Sequence, residues 1–184
     1  MREEAKNGFN DFLKKQKEVP GEANLTLVLF DHEYIVMHDG KPLQSVEELT
    51  DKTYVPRGTT ALWDAIGRAV TTVGERLDKT PEHEKAEKVI VVILTDGYEN
   101  ASQEYNGERI RGMIDLQRKT YAWDFVFLAA NQDAVATAKA MHIPKAAAMN
   151  FAPTGAGVKH AYACSSSYVR GLRTTGKGSF THDS

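Results

Sequence analysis

Residues 89–97, Val-Ile-Val-Val-Ile-Leu-Thr-Asp-Gly, constrain the fold more than any other stretch of the chain. Val89 to Leu94 is an unbroken aliphatic run, far short of the ~20 residues of a membrane span and without the polar alternation of a half-exposed strand. It reads as a strand buried on both faces, in the middle of a parallel sheet covered by helices. The run then stops on an acid and a glycine. Ligands of open parallel sheets bind just beyond the carboxyl ends of the strands, so Asp96 falls where chemistry gathers. An Asp-Gly pair in isolation is still a turn signal first.

The rest of the chain is compatible with such a sheet. Residues 2 to 17 carry Ala5, Phe9, Phe12 and Leu13 on one helical stripe, and Pro20-Gly21 ends it. Leu25 to Phe30 and Tyr34 to Met37 flank the tight turn Asp31-His32-Glu33 and predict a hairpin. Residues 39 to 58, punctuated by Gly40, Pro42, Pro56 and Gly58, read as loop. Leu62, Ile66, Ala69, Val70, Val73 and Leu77 predict a long helix after Thr60. Ile110, Met113 and Ile114 mark another helix, Phe125 to Leu128 another buried strand, and Asn131 to Met141 a short helix. A short strand over 147–151 and a helix with the stripe Val158, Ala161, Tyr162, Ser165, Val169 and Leu172 complete the pattern. Residues 1–172 are expected to form one domain, and 173–184 a flexible, basic tail.

Strands alternating with helices imply an α/β fold, three layers deep and doubly wound in the Rossmann-like manner. The sheet is expected to be mostly parallel with one antiparallel hairpin strand at its edge. One element is out of place. The chain opens on a helix, whereas a right-handed β-α-β unit opens on a strand. The strand that should open the first unit is therefore expected to be missing.

Bulk properties exclude several classes. A formal net charge of −2 gives no general attraction to nucleic acid or anionic lipid, and no segment is apolar enough to span a membrane. The single cysteine, Cys164, rules out an internal disulfide and fits a reducing, cytoplasmic setting.

Chemistry-bearing motifs are few. Gly171 to Ser179 nearly spells a phosphate-binding loop but fails at Gly178, follows a helix and has no helix after it. No His-x-x-x-His or Cys-x-x-Cys spacing suggests zinc, and His32, His38 and His83 lie in a hairpin and a charged linker. Two segments remain: Arg57-Gly58-Thr59-Thr60-Ala61-Leu62-Trp63-Asp64, a loop entering a helix, and Thr95-Asp96-Gly97. A hydroxyl and a carboxylate are oxygen donors suited to a hard cation such as Mg²⁺. The plain alternatives are an N-cap for Thr60 and a turn for Asp96. Asp31 shares the expected rim, and Asp64 lies one helical turn after Thr60, either supporting the site or simply exposed. Asn100 and Asn131 follow strands and read as helix caps first and as ligand contacts second.

The run Gly-Thr-Thr-Ala-Leu-Trp-Asp-Ala-Ile, followed by Val-Ile-Val-Val-Ile-Leu-Thr-Asp-Gly, resembles the von Willebrand factor type A (vWA) domain. The likeness is closest to bacterial and phage-type members. It extends over roughly residues 2 to 172 and includes Arg2 to Lys17, Leu25 to Tyr34 and Phe125 to Ala138. The resemblance implies a metal-ion-dependent adhesion site (MIDAS) made by three loops at the carboxyl edge of the sheet. Its second loop gives a metal-binding threonine, here Thr60. Its third gives an aspartate acting largely through water, here Asp96. Thr59, Asp31, Asp64, Gly97 and Asn100 would border these two. The first loop should carry Asp-x-Ser-x-Ser after the first strand, and that motif is absent from this sequence.

What the resemblance implies is a non-enzymatic protein-binding module, in which Mg²⁺ or Mn²⁺ accepts a carboxylate from an Asp or Glu of a partner protein. Loops 32–33, 57–59 and 97–106 would set specificity. Without the first loop, these 184 residues are expected to bind metal weakly or not at all. Three explanations fit the missing strand: Met1 is an internal methionine of a longer protein, the site has been lost, or a partner lends the strand. Two rival functions are a metal-assisted hydrolase on the same edge, which needs a general base near Asp96, and a metal-independent interaction scaffold.

Overall fold

The computed structural model describes residues 2–53 and 59–180. Helix α1 (Arg2–Glu18) leads into a hairpin of β1 (Asn24–Phe30) and β2 (Tyr34–Pro42). Then follow α2 (Leu62–Lys79), β3 (Ile90–Thr95), α3 (Gly107–Tyr121), β4 (Asp124–Ala129), α4 (Ala134–Ala140), β5 (Ala148–Asn150) and α5 (Gly155–Thr175). The fold is α/β, but its strands form two sheets. β3, β4 and β5 make a parallel sheet with β4 in the centre; β1 and β2 make an antiparallel pair.

The core follows the strand pairing. β4 is paired along both edges, and Phe125 to Ala129 are each 2% exposed or less. α2 contributes Leu62, Ile66 and Val70 to this core, α3 contributes Ile110 and Ile114, and α5 contributes Val158, Ala161 and Leu172. A second cluster joins Phe9 and Leu13 of α1 to Leu43, Val46 and Leu49, with Leu25 and Leu27 of β1 packed against it. Glu4 lies beside Gly155, Gly8 against the Tyr162 ring, and Gln16 against Ser166 and Arg173. Helices α1 and α5 therefore run side by side in the same direction.

Four local expectations change. β2 continues through Pro42, because extra residues on its side of the ladder let it turn past Gly40, which has φ +61°. Leu43, Val46 and Leu49 are buried beyond it, so this part of the expected loop is core; residues 54–58 lie outside the described residues. Val92 is 36% exposed instead of buried, because among the described residues only one edge of β3 has a neighbour. The tail starts later: α5 runs to Thr175, and Phe180 is buried, its ring 4.8 Å from that of Tyr168 and its N–H bonded to the Ala146 carbonyl. The short helix begins at Ala134 and not at Asn131, with Asp133 as its cap.

Candidate functional site at the sheet rim

The carboxyl ends of β1, β3, β4 and β5 meet at one rim, tied together by short hydrogen bonds. At the end of β1 the Asp31 carbonyl accepts from the Ala61 N–H at 2.8 Å. The next residue, Thr60, is clamped by Asn100: the Thr60 N–H donates to Asn100 Oδ1 at 2.9 Å, and the Asn100 N–H to the Thr60 carbonyl at 3.0 Å. Asn131 Nδ2 donates to the Asp96 carbonyl at 2.9 Å, and Gln132 Nε2 to the Gly97 carbonyl at 2.8 Å. Asn150 Oδ1 accepts from the Ala134 N–H at 2.8 Å and extends the belt to β5. The rim is continuous where the sheet is not.

Thr60 and the loop after β3 are therefore neighbours. A Cβ on Gly97 would lie 3.0 Å from Thr60 Oγ1, tight enough that glycine is the residue that lets the hydroxyl sit there. Thr95 is buried, and its hydroxyl donates to the Gly97 carbonyl at 3.2 Å, which shapes the turn.

The carboxylates of this rim divide into two kinds. Asp64 is only 8% exposed and accepts from the backbone N–H groups of Gln103, Glu104 and Tyr105 at 2.9–3.0 Å. Burial pushes its carboxyl up, but those three bonds together with the nearby Arg68 guanidinium outweigh burial and hold it below the ordinary carboxylate range. Glu99 accepts from Trp63 N–H at 2.9 Å through one oxygen and from the Ala101 and Ser102 N–H groups through the other. It supplies the cap that α2 lacks, since Ala61 at the N-cap has no side chain able to accept. Both carboxylates lash the 97–105 loop to the start of α2. Arg68 of α2 adds an ion pair to Glu104.

Thr60 and Asp96 are of the other kind. The Thr60 hydroxyl is not a helix cap, and among the described residues neither it nor the Asp96 carboxylate makes a hydrogen bond or ion pair. Asp96 is exposed, and Thr60 is half-buried against Gly97. Asp31 is spent on a turn, accepting from the Glu33 N–H at 2.6 Å, with His32 Nδ1 3.4 Å away. Thr59 is exposed next to the undescribed 54–58 segment.

Of the two readings of Asp64, the exposed helix residue is set aside: it is buried and holds the loop that carries Asn100. Asn100 and Asn131 cap no helix; they hold Thr60 and Asp96 by the backbone. Glu99 was not singled out from the sequence, although a carboxylate three residues beyond Asp96, facing a helix whose N-cap is alanine, is the available signal.

Thr60 and Asp96 supply two oxygen donors, and among the described residues no group of three or more His, Cys, Asp or Glu side chains is placed to hold an ion. Mg²⁺ keeps several waters but is otherwise held by carboxylates and phosphate oxygens, so one carboxylate and one hydroxyl with no third group placed beside them do not by themselves fit a metal centre. The hollow between His32, Tyr34, Asp64 and Arg68 has room for about 20 Å³, enough for a water and far from the several hundred Å³ of a substrate pocket. No described helix is long and apolar enough to cross a membrane. Comparison with protein-family models, curated proteins and solved structures finds no match for this chain.

Proposed function

We propose that this chain is a protein-binding module of the vWA type, not an enzyme, that recognises its partner at the rim around Thr60 and Asp96. One observation carries the reading. On a rim where Asp31, Asp64, Glu99, Asn100, Asn131 and Asn150 are all committed to holding backbone, the Thr60 hydroxyl lies against Gly97, and neither it nor the carboxylate of the adjoining Asp96 is bonded among the described residues. Leaving polar groups uncommitted while their neighbours are fixed is how a binding site is kept ready for a ligand. Where a divalent ion bridges, the partner offers it an Asp or Glu carboxylate, since without the cation Asp96 would repel that group, and the loops 32–33, 57–59 and 97–106 select the partner.

Divalent metal enters this reading conditionally. Only with further oxygen ligands that the described residues do not supply would Thr60 and Asp96 serve as this chain's donors to Mg²⁺ or Mn²⁺. Calorimetric titration of the 184-residue chain with Mg²⁺ and Mn²⁺ is the test. The expected result is binding too weak to saturate at millimolar ion, and its loss in Thr60→Ala or Asp96→Ala. Tight binding would show a complete site elsewhere. Weak binding unchanged in both variants would remove these residues as donors and leave the metal-independent scaffold.

A further inference from the structure

Asparagine followed directly by glycine occurs twice in the chain, as Asn7-Gly8 and Asn106-Gly107. Glycine has no Cβ to hinder its own nitrogen, so in such a pair that nitrogen can reach the asparagine side-chain carbon. The fold treats the two pairs differently. Asn7-Gly8 is locked: both residues lie inside α1, and Gly8 is buried against the Tyr162 ring. The Gly8 N–H is part of the helical ladder. Closing a ring from the Gly8 nitrogen to Asn7 Cγ would turn the Asn7 Cα–C bond and break the helix from within.

Asn106-Gly107 sits at a boundary. Asn106 is the exposed N-cap of α3, with extended backbone at φ −118° and ψ 170°, and Gly107 opens the helix. First-turn N–H groups have no acceptor within their own helix, and none is supplied to Gly107 among the described residues. Turning the Asn106 Cα–C bond strains the first helical bond, from the Ile110 N–H to the Asn106 carbonyl at 3.1 Å, and leaves the ladder beyond it whole. The cap also prepares the side chain. Asn106 Oδ1 accepts from the Arg109 N–H at 2.8 Å, a donor at the positive end of the helix dipole. A donor on that oxygen stabilises the negative charge that forms there when a nitrogen adds to Cγ. Asn106 Nδ2, which would leave, makes no hydrogen bond among the described residues.

We propose that Asn106-Gly107 is a self-modifying site, at which the chain converts Asn106 to aspartate and isoaspartate. The Gly107 nitrogen gives its proton to solvent and bonds to Asn106 Cγ. The Cγ–Nδ2 bond breaks, Nδ2 takes a proton from solvent and departs as ammonia, and a succinimide ring remains. Water then adds to one of the two ring carbonyls. Opening of the bond to Cγ leaves aspartate; opening of the backbone C–N bond leaves isoaspartate, with a main chain longer by one methylene. Either product places a new carboxylate at the end of the 97–106 loop. Aspartate still caps α3 and is favoured there by the dipole, whereas isoaspartate re-routes the chain where Gly107 packs beside Trp63. The inference is independent of what the rim binds.

Peptide mapping by mass spectrometry of the full chain, held warm at neutral pH, tests it. The peptide containing Asn106 should gain about 1 Da and split into two products separable by chromatography. It should do so at least about tenfold faster than the peptide containing Asn7, since a single donor on a developing oxyanion is worth more than that. In guanidinium chloride, where both pairs lose their surroundings, the two should react at similar rates. Gly107→Ala should suppress the gain at Asn106 with circular dichroism unchanged, because the added Cβ would meet Trp63 at 3.5 Å, an ordinary contact. The comparison with Asn7 needs no variant. No gain at Asn106, equal rates at Asn7 and Asn106 in the folded chain, a gain confined to the denatured chain, or a gain that persists in Gly107→Ala would overturn the proposal.

Discussion

Asp64 and Asp96 lie on the same rim, on either side of one clamped loop, and differ in what the fold asks of them. Asp64 is buried and spends both oxygens on three backbone N–H groups. Asp96 is exposed and spends only its backbone carbonyl, on Asn131. A carboxylate that satisfies buried donors is part of the structure, because removing it leaves those donors unpaired. One that satisfies nothing adds little to stability and is free for a ligand. The same division separates Glu99, which caps α2, from the Thr60 hydroxyl, which the neighbouring Ala61 leaves with no capping role. The fold thus recruits a long-range carboxylate to do what Thr60 would ordinarily do.

The largest expected effect tests the first half of that contrast. Asp64→Ala strands the N–H groups of Gln103, Glu104 and Tyr105 and loosens the loop that also carries Asn100; the expected loss is about 3 kcal/mol, read from denaturant midpoints. A loss below about 1 kcal/mol would mean that water replaces the carboxylate at no real cost, and the division would fail. Glu99→Ala comes next. It removes the cap on Trp63 N–H and two turn bonds in a less buried place, for about 1–2 kcal/mol. Restoring a cap locally with Ala61→Ser should recover part of that loss.

Acid provides the third test. Asp64 has its carboxyl held below the ordinary range in the folded chain, while the unfolded value is about 3.9. Its contribution is therefore fully present above pH of about 4 and is lost as pH falls through the lower folded value. In Asp64→Asn the contribution is absent throughout. The stability gap between the original chain and Asp64→Asn should be widest near neutrality and shrink below pH of about 4. A gap independent of pH would assign the effect of Asp64 to shape alone.

How much of this was legible in the sequence depends on the range of the interaction. The stripe from Ala5 to Leu13, the hairpin turn at Asp31-His32-Glu33 and the apolar run before Asp96 are set by neighbours in the chain, and each appears as an element where expected. The loop entering α2 and the segment Thr95-Asp96-Gly97 were expected at one rim from where strands of such a sheet end, and Thr60 of the first lies against Gly97 of the second. The exposure of Val92 was not legible, because aliphatic composition reports what a strand could bury and not whether both neighbours are present. What Asp64, Glu99 and Asn100 hold was not legible, for one reason. Their partners lie 36 to 41 residues away, and a polar side chain reads as turn or surface until the backbone it serves is folded beside it. Phe180 is the same lesson in apolar form: amid Gly, Thr, Ser and Lys it resembled tail, yet the Tyr168 ring gives it a place.

The smallest effects should come from the second half of the contrast. Thr60→Val keeps the shape and removes a hydroxyl that bonds nothing; Asp96→Asn keeps the Asn131 bond, which goes to the backbone, and removes an exposed charge. Each should change stability by no more than about 0.5 kcal/mol, the range of surface substitutions away from structural features. The double variant should be additive, because neither side chain contacts a group the other needs. If either cost more than about 1 kcal/mol, that group would belong to the scaffold with Asp64 and Glu99, and the rim would have no uncommitted donors to offer a partner. If both are silent for stability while the weak Mn²⁺ response disappears, the two residues are retained by what they bind and not by what they hold up.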